Sequence, residues 1–203
     1  MSITFFVTGI GTGIGKTIVS AILTEKLRAD YWKPIQSGDL DQSDSLIIKS
    51  LISNSKTVIH EEAFKLTHPL SPHLSAKLDQ VDINIRKLQT PTTTNDLIIE
   101  GAGGLMVPLN DHELMIDYIK SLNTEVILVS QNYLGSINHT LLSIEALKAR
   151  GIAIKGIIFN GISNTETERY IKQYSELNVI GYIPELEIIS KESVKQACEY
   201  LEL

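Results

Sequence analysis

A single cysteine, Cys198, leaves the chain unable to close an intrachain disulfide, so its stability has to come from an apolar core rather than from covalent staples. Cys198 lies four residues after Val194 and three before Leu201, on one helical face, and reads as a packing residue. The five histidines (His60, His68, His73, His112, His139) share no zinc-type spacing with cysteine or with each other, so no transition-metal site is expected. Basic charge is also short. Eighteen Lys+Arg against 24 Asp+Glu leave a net charge of −6 with no basic cluster, which argues against nucleic acid or an anionic membrane as the main partner. No apolar run approaches the roughly 20 residues that span a bilayer, and the N-terminus lacks a basic region followed by an apolar stretch and a cleavage site. A soluble cytoplasmic protein is the expectation. Six prolines and no low-complexity tract mark no linker, so the 203 residues, 43% of them apolar, are expected to form one domain, 1–203. The stretch 90–95 reads as a short polar loop.

Glycine, by contrast, is concentrated where it matters. Residues 8–17 read Thr-Gly-Ile-Gly-Thr-Gly-Ile-Gly-Lys-Thr, between an apolar strand and an apolar-periodic helix. Such a turn lets consecutive backbone N–H groups curl around a polyphosphate, with Lys16 on its outer oxygens and the Thr17 hydroxyl on Mg²⁺. A dinucleotide fingerprint would need a sixth-position glycine after Gly9/Gly11 or Gly11/Gly13, and neither pair has one. The loop is a variant, because Gly9 and Gly15 enclose five residues where the standard spacing has four.

Short β-branched runs at 3–8, 31–33, 97–100, 126–130, 154–160 and 179–182 alternate with helical patterns at 16–29, 44–53, 112–122, 137–149, 165–177 and 190–201. Several runs are continuously apolar, as in strands covered on both faces. The pattern predicts an α/β fold, a single-domain, doubly wound, mostly parallel sheet of the P-loop NTPase type, with ligands at the carboxyl ends of its strands. The segments 9–17, 33–45, 100–104, 132–138 and 160–163 fall at that edge.

Within those segments, Lys33 ends a short strand and is held extended by Pro34. Asp39, Asp41 and Asp44 precede an apolar-periodic stretch, and two readings stand: helix capping by Ser43 or Asp44, or ligation of a nucleotide-bound Mg²⁺. Glu100 ends an apolar strand ahead of Gly101, Ala102, Gly103 and Gly104, an arrangement that brings a carboxylate to a metal while Gly103 and Gly104 offer N–H donors. A buried, paired structural glutamate is its alternative. Ser136 is expected to cap the helix ending near Arg150, whose N-terminus with Asn138 could also hold a carboxylate. Asn160 and Gly161 form either a turn or a contact to a base edge.

Taken together, the segments 8–17, 33–37, 43–44, 70–73, 100–108, 134–139, Asn160 and 181–184 resemble dethiobiotin synthetases over nearly the whole chain. The resemblance implies a homodimeric, Mg²⁺-dependent ligase of biotin biosynthesis. Such an enzyme closes a cyclic urea from 7,8-diaminononanoate and CO₂, through a carbamate and a carbamic-phosphoric anhydride, with cleavage of ATP to ADP and phosphate. It assigns Lys16, Lys33 and Thr12 to the chemistry and Ser37 and Gly103 to the diamine and carbamate. Gly135, Ser136, Ile137, Asn138 and Tyr170 would bind the substrate carboxylate across the subunit interface. The nucleotide would meet Gly13, Ile14, Gly15, Lys16, Thr17, Ile18, Glu100, Gly101, Ala102, Gly103, Asn160, Gly161, Pro184, Glu185 and Leu186, and Mg²⁺ would meet Thr17, Asp44 and Glu100. Two departures leave the base preference open: Gly13 stands where many members have glutamate, and the segment 185–190 is short.

Two rivals share the loop. A cobyrinate-type amidating ligase would need a glutamine-hydrolysing domain, for which there is neither spare length nor a suitably placed nucleophilic cysteine. A regulatory ATPase switch of the partition or septum-positioning type would carry an extra lysine where Gly11 stands, and a basic or amphipathic tail in place of this acidic C-terminus.

Overall fold

The computed structural model describes residues 2–203. In chain order its elements are β1 (Thr4–Gly9), α1 (Lys16–Leu27), β2 (Asp30–Trp32), β3 (Ile35–Ser37), α2 (Asp44–Leu51), β4 (Ile59–His60), β5 (Phe64–Leu66), α3 (Pro72–Leu78), β6 (Leu97–Gly104), α4 (Met115–Leu122), β7 (Glu125–Ser130), α5 (Ser136–Ala149), β8 (Ile154–Asn160), α6 (Thr165–Ser175), β9 (Val179–Ile183) and α7 (Lys191–Ala197). Seven strands form one sheet in the order β4-β2-β6-β1-β7-β8-β9, while β3 and β5 make a separate pair. Every ladder is parallel.

Helices cover both faces, and the alternation along β1 shows it. Phe5 and Val7 join a core with Val19, Ile22 and Leu23 of α1, whereas Phe6 joins one with Met115, Ile116 and Ile119 of α4. Successive side chains of a strand point to opposite faces, so a strand buried on both must be apolar throughout. The chain leaves β1 for β2, returns to insert β6 between them, and then continues outward on the other side of β1 through β7. That reversal places the loop after β1 at the switch point, where such sheets bind ligands.

The structure departs from the sequence reading in places. Three short strands, β3, β4 and β5, and helix α3 lie outside every expected element. β6 runs on through Gly104 instead of stopping at Glu100, because a bulge opposite β1 lets the glycines keep pairing: Val7 faces Glu100 while Gly9 already faces Gly104. α4 begins at Met115, three residues later than expected, with the Asp117 carboxylate accepting from the Leu114 N–H. Ser136 is not the cap of α5. Gly135, at φ +104°, occupies that position, and the Ser136 side chain makes no capping bond. At the last helix, α7 ends at Ala197 and Cys198 opens a single 3₁₀ turn. Its thiol packs at the edge of the α1 core, 3.6 Å from the Ile22 carbonyl and 3.4 Å from the Val194 carbonyl.

The loop around residues 90–95 does more than connect. Thr93 Oγ1 and Asn95 Nδ2 donate to the buried Asp30 carboxylate at 2.7 and 3.1 Å, and the Val58 N–H donates at 2.9 Å. Burial penalises this carboxylate, but its hydrogen bonds outweigh burial and hold its pKa below the usual range. The loop therefore clamps the start of β2, the strand that carries Lys33 to the opposite end of the sheet.

Candidate functional site

At the carboxyl edge of the sheet a cleft of about 830 Å³ is lined by Thr12, Gly13, Gly15, Lys16, Thr17, Lys33, Ser37, Asp44, Glu100, Ala102 and Gly103, with Pro69–Pro72 on its outer wall. The loop after β1 turns through two left-handed glycines, Gly13 at φ +75° and Gly15 at φ +84°. A β-carbon on Gly15 would meet the Asn160 amide, and the left-handed backbone there strains any other residue, so glycine is favoured. α1 starts directly at Lys16, aiming its free N–H groups into the cleft. Lys16 Nζ donates to the Gly11 carbonyl at 2.9 Å. Burial lowers its pKa, with the nearby Glu100 carboxylate opposing the shift.

Four polar side chains meet beside that helix start, from α1, α2, β6 and the link between β2 and β3. Thr17 Oγ1 lies 2.8 Å from Asp44 Oδ1 and 3.1 Å from Glu100 Oε1. Lys33 Nζ pairs with Asp44 Oδ2 and sits 3.3 Å from Glu100 Oε1. The other Glu100 oxygen accepts from the Tyr31 hydroxyl at 3.0 Å. Each position has a local reason. Ser43 caps α2 by accepting from the Leu46 N–H, which puts Asp44 in the first helical turn, and Gln36 Oε1 accepts from the Asp44 N–H. Glu100 sits where β6 leaves its regular register with β1.

Electrostatics follow from this packing. Burial opposes charge on Lys33, yet Glu100 and Asp44 more than offset it, and its pKa is raised. Tyr31, wholly buried beside Glu100 and Asp44, has its pKa pushed well up by burial first and by those carboxylates second, so it stays a neutral donor. On the cleft wall, the Ser37 hydroxyl is shielded from solvent without a protein partner. Gly103, at φ +67°, turns the backbone next to Thr12.

Beyond Gly13 and Gly15, a second pocket of about 300 Å³ is lined by Ile18, Gln131, Asn132, Asn160, Gly161, Ile162, Pro184, Glu185, Leu186 and Ile189. Asn160 Nδ2 donates to the Ile14 carbonyl at 3.0 Å, so this amide braces the loop after β1. Not every expected residue lines these cavities. The Ile14 side chain is in the core, leaving only its backbone at the loop, and Gly101 packs against the Phe6 ring. Gly135, Ile137 and Asn138 at the start of α5, and the exposed Tyr170 on α6, border neither cavity of their own chain; the Ser136 side chain is buried beneath them. Tyr31 lies outside the segments expected at the ligand edge, and Gln36 and Asn132 lie within them without having been nominated singly. For Tyr31 the only signal was its place two residues before Lys33 on a buried strand.

A parallel sheet with a glycine loop at its switch point, a lysine and threonine opening the following helix and two carboxylates facing them defines a P-loop nucleotide-binding protein. A family model described as an AAA domain matches residues 3–193. Among solved structures, the septum site-determining protein MinD of Pyrococcus horikoshii, complexed with Mg-ADP, is similar with a TM-score of 0.60 at 19% identity, over 97% of this chain and 86% of that one. A ParA family ATPase of Chlorobium tepidum gives a TM-score of 0.59 at 15% identity, over 98% and 92%. At such identities the likeness is one of fold. The ATP-dependent dethiobiotin synthetase BioD of Christiangramia forsetii is 53% identical over 195 residues, covering 96% of this chain and 94% of the relative. That of Cytophaga hutchinsonii is 50% identical, covering 94% and 92%. The chain belongs to the ATP-dependent dethiobiotin synthetase family. Among the described residues no helix is long and apolar enough to cross a membrane.

Proposed function

We propose that the chain is an ATP-dependent dethiobiotin synthetase that closes the ureido ring of dethiobiotin from 7,8-diaminononanoate and CO₂, leaving ADP and phosphate. The observation that carries this reading is the meeting of Thr17, Lys33, Asp44 and Glu100 at the start of α1, inside one cleft large enough for both a triphosphate and a diamine. Family membership supplies the substrates, and the cleft supplies the chemistry.

One amine captures CO₂ as a carbamate. A carbamate oxygen attacks the γ-phosphorus of ATP, ADP leaves, and the second amine then attacks the carbonyl carbon of the mixed anhydride and expels phosphate. No covalent enzyme intermediate is needed; charge handling is the task. The loop N–H groups and Lys16 grip the phosphates, while Lys33 faces the carbamate and the transferring phosphoryl group. The Ser37 hydroxyl, with no protein partner, is free to donate to the carbamate, beside Thr12 and the Gly103 N–H. The hard oxygen donors Thr17, Asp44 and Glu100 fit Mg²⁺, which takes one or two carboxylates and keeps several waters. When bound there, Mg²⁺ supplies neutralisation of the phosphate oxygens. The base would occupy the pocket of Asn160, Gly161 and Pro184–Leu186. Gly135, Ser136, Ile137, Asn138 and Tyr170 lie away from their own cleft, which supports their binding the substrate carboxylate of a partner subunit in a homodimer. Residues 1–203 form one synthetase domain, and the reaction belongs in the cytoplasm.

A matrix of ATP, GTP and CTP against diamine, with and without CO₂ and Mg²⁺, tests this. Nucleotide cleavage is expected only when diamine, CO₂ and Mg²⁺ are all present. A steady rate indifferent to the diamine would instead favour the switch ATPase.

A further inference from the structure

Glu168 on α6 is 5% exposed, and its hydrogen-bond partners are all neutral. Asn132 Nδ2 donates to it at 2.7 Å, the Ser163 hydroxyl at 3.0 and 3.1 Å, and the Asn164 backbone N–H at 2.9 Å. These donors come from two loops, one after β7 and one after β8. Asn132 Nδ2 also donates to the Ile162 carbonyl at 3.0 Å, which ties the same loops together a second time. With two acceptors on its nitrogen the amide has one orientation, and its Oδ1, shielded from solvent, has no protein partner. Asn132 and Ile162 both line the pocket beyond Gly13 and Gly15. Two neighbouring lining residues are fixed by other means, Asn160 to the loop after β1 and the Gly161 N–H to the Ile183 carbonyl at 2.9 Å.

A buried carboxylate is costly unless its lone pairs are used; the Asn132 bond that helps satisfy this one holds a residue of the pocket wall, and the Ser163 and Asn164 bonds hold the loop that carries Ile162. We propose that Glu168 is a positioning residue for the nucleobase, acting through Asn132 and the loop that carries Ile162, and that it sets how tightly the nucleoside is held without touching the phosphates. This rests on reading the cleft as the ATP site. No residue of α6 lines the cleft around Lys16 and Thr17, so grip on the phosphates and grip on the base are separable.

Calorimetric titration of ADP and, separately, of inorganic tripolyphosphate onto the full chain tests the separation. Glu168→Gln replaces two acceptors by one and sets an NH₂ against donors, and is expected to weaken ADP about tenfold while leaving tripolyphosphate within about twofold. Its KM for ATP should rise by the same factor with kcat little changed. Asn132→Ala, at a partly exposed site, is expected to shift ADP in the same direction and keeps the test open if the first variant fails to fold. A residue that serves the fold alone would weaken both ligands in parallel, and that result overturns the proposal. ADP affinity unchanged in both variants overturns it equally. A wild-type chain that binds neither ligand would overturn the nucleotide reading itself, so the two failures are distinguishable.

Discussion

Replacing Lys33 by methionine isolates the central cluster, because the stem length is kept and only the ammonium is removed. In the wild type that ammonium pairs with Asp44 and lies 3.3 Å from Glu100. Without it, two carboxylates face each other around a single Thr17 hydroxyl, which can donate its one proton to only one of them at a time. Glu100 is 1% exposed, although Tyr31 still donates to it; the Asp44 side chain is 23% exposed and partly hydrated. Removing one partner of a buried pair costs about 3–5 kcal/mol, and the hydration of Asp44 places this case near about 3 kcal/mol. For a chain of this length that is roughly 6–12 °C in Tm. The assay is urea and thermal unfolding near pH 7 in metal-free buffer, repeated with millimolar Mg²⁺. The variant should regain more stability from Mg²⁺ than the wild type does, since a cation that binds only the folded state stabilises it by mass action and no lysine competes for the carboxylates. Turnover should be lost. A variant within about 0.5 kcal/mol of wild type without metal, or equal gains from Mg²⁺ in both proteins, would refute the reasoning.

Two further predictions concern the parts that hold the cluster in place. Gly15→Ala puts a β-carbon on a left-handed backbone and into the Asn160 amide, so it should cost about 1–3 kcal/mol and abolish ADP binding measured by calorimetry. Asp30→Asn should destabilise the protein by about 1–3 kcal/mol at pH 7, because an NH₂ replaces an acceptor among Val58, Thr93 and Asn95 donors. The lowered pKa of Asp30 means its stabilisation is complete above the ordinary aspartate value of about 4 and is lost as pH falls through the folded value. The variant should therefore lose less stability than wild type on acidification from pH 5 to pH 2, as followed by circular dichroism.

What the chain reveals before folding depends on how local each signal is. The glycine loop and the helix at Lys16 are contiguous, and six strands of the main sheet carry enough apolar residues to be read singly. β3, β4 and β5 have two or three residues each, too few for any period to show; β2 is as short but is marked by the lysine and proline that follow it, and α3, with Ser71 at its cap position, begins with Pro72 in a polar stretch. Glu100 and Asp44 could be nominated by chain position and resemblance, but their meeting at Thr17 spans 83 and 27 residues. Glu168 was not singled out: Ser163 and Asn164 lie only five and four residues before it, but Asn132 is 36 residues away, on a loop brought beside it by the order β7-β8 in the sheet. Ser136 misled because serine is a common cap, yet the backbone there needs the left-handed turn that Gly135 provides.

The most direct measurement is a crystal structure of the chain with a non-hydrolysable ATP analogue, Mg²⁺ and the diamine. The γ-phosphate is expected at the loop 9–17 beside Lys16, the metal on Thr17, Asp44 and Glu100, and an amine of the substrate between Lys33 and that phosphate. Triphosphate seated elsewhere, or a diamine remote from Lys33, would contradict this arrangement.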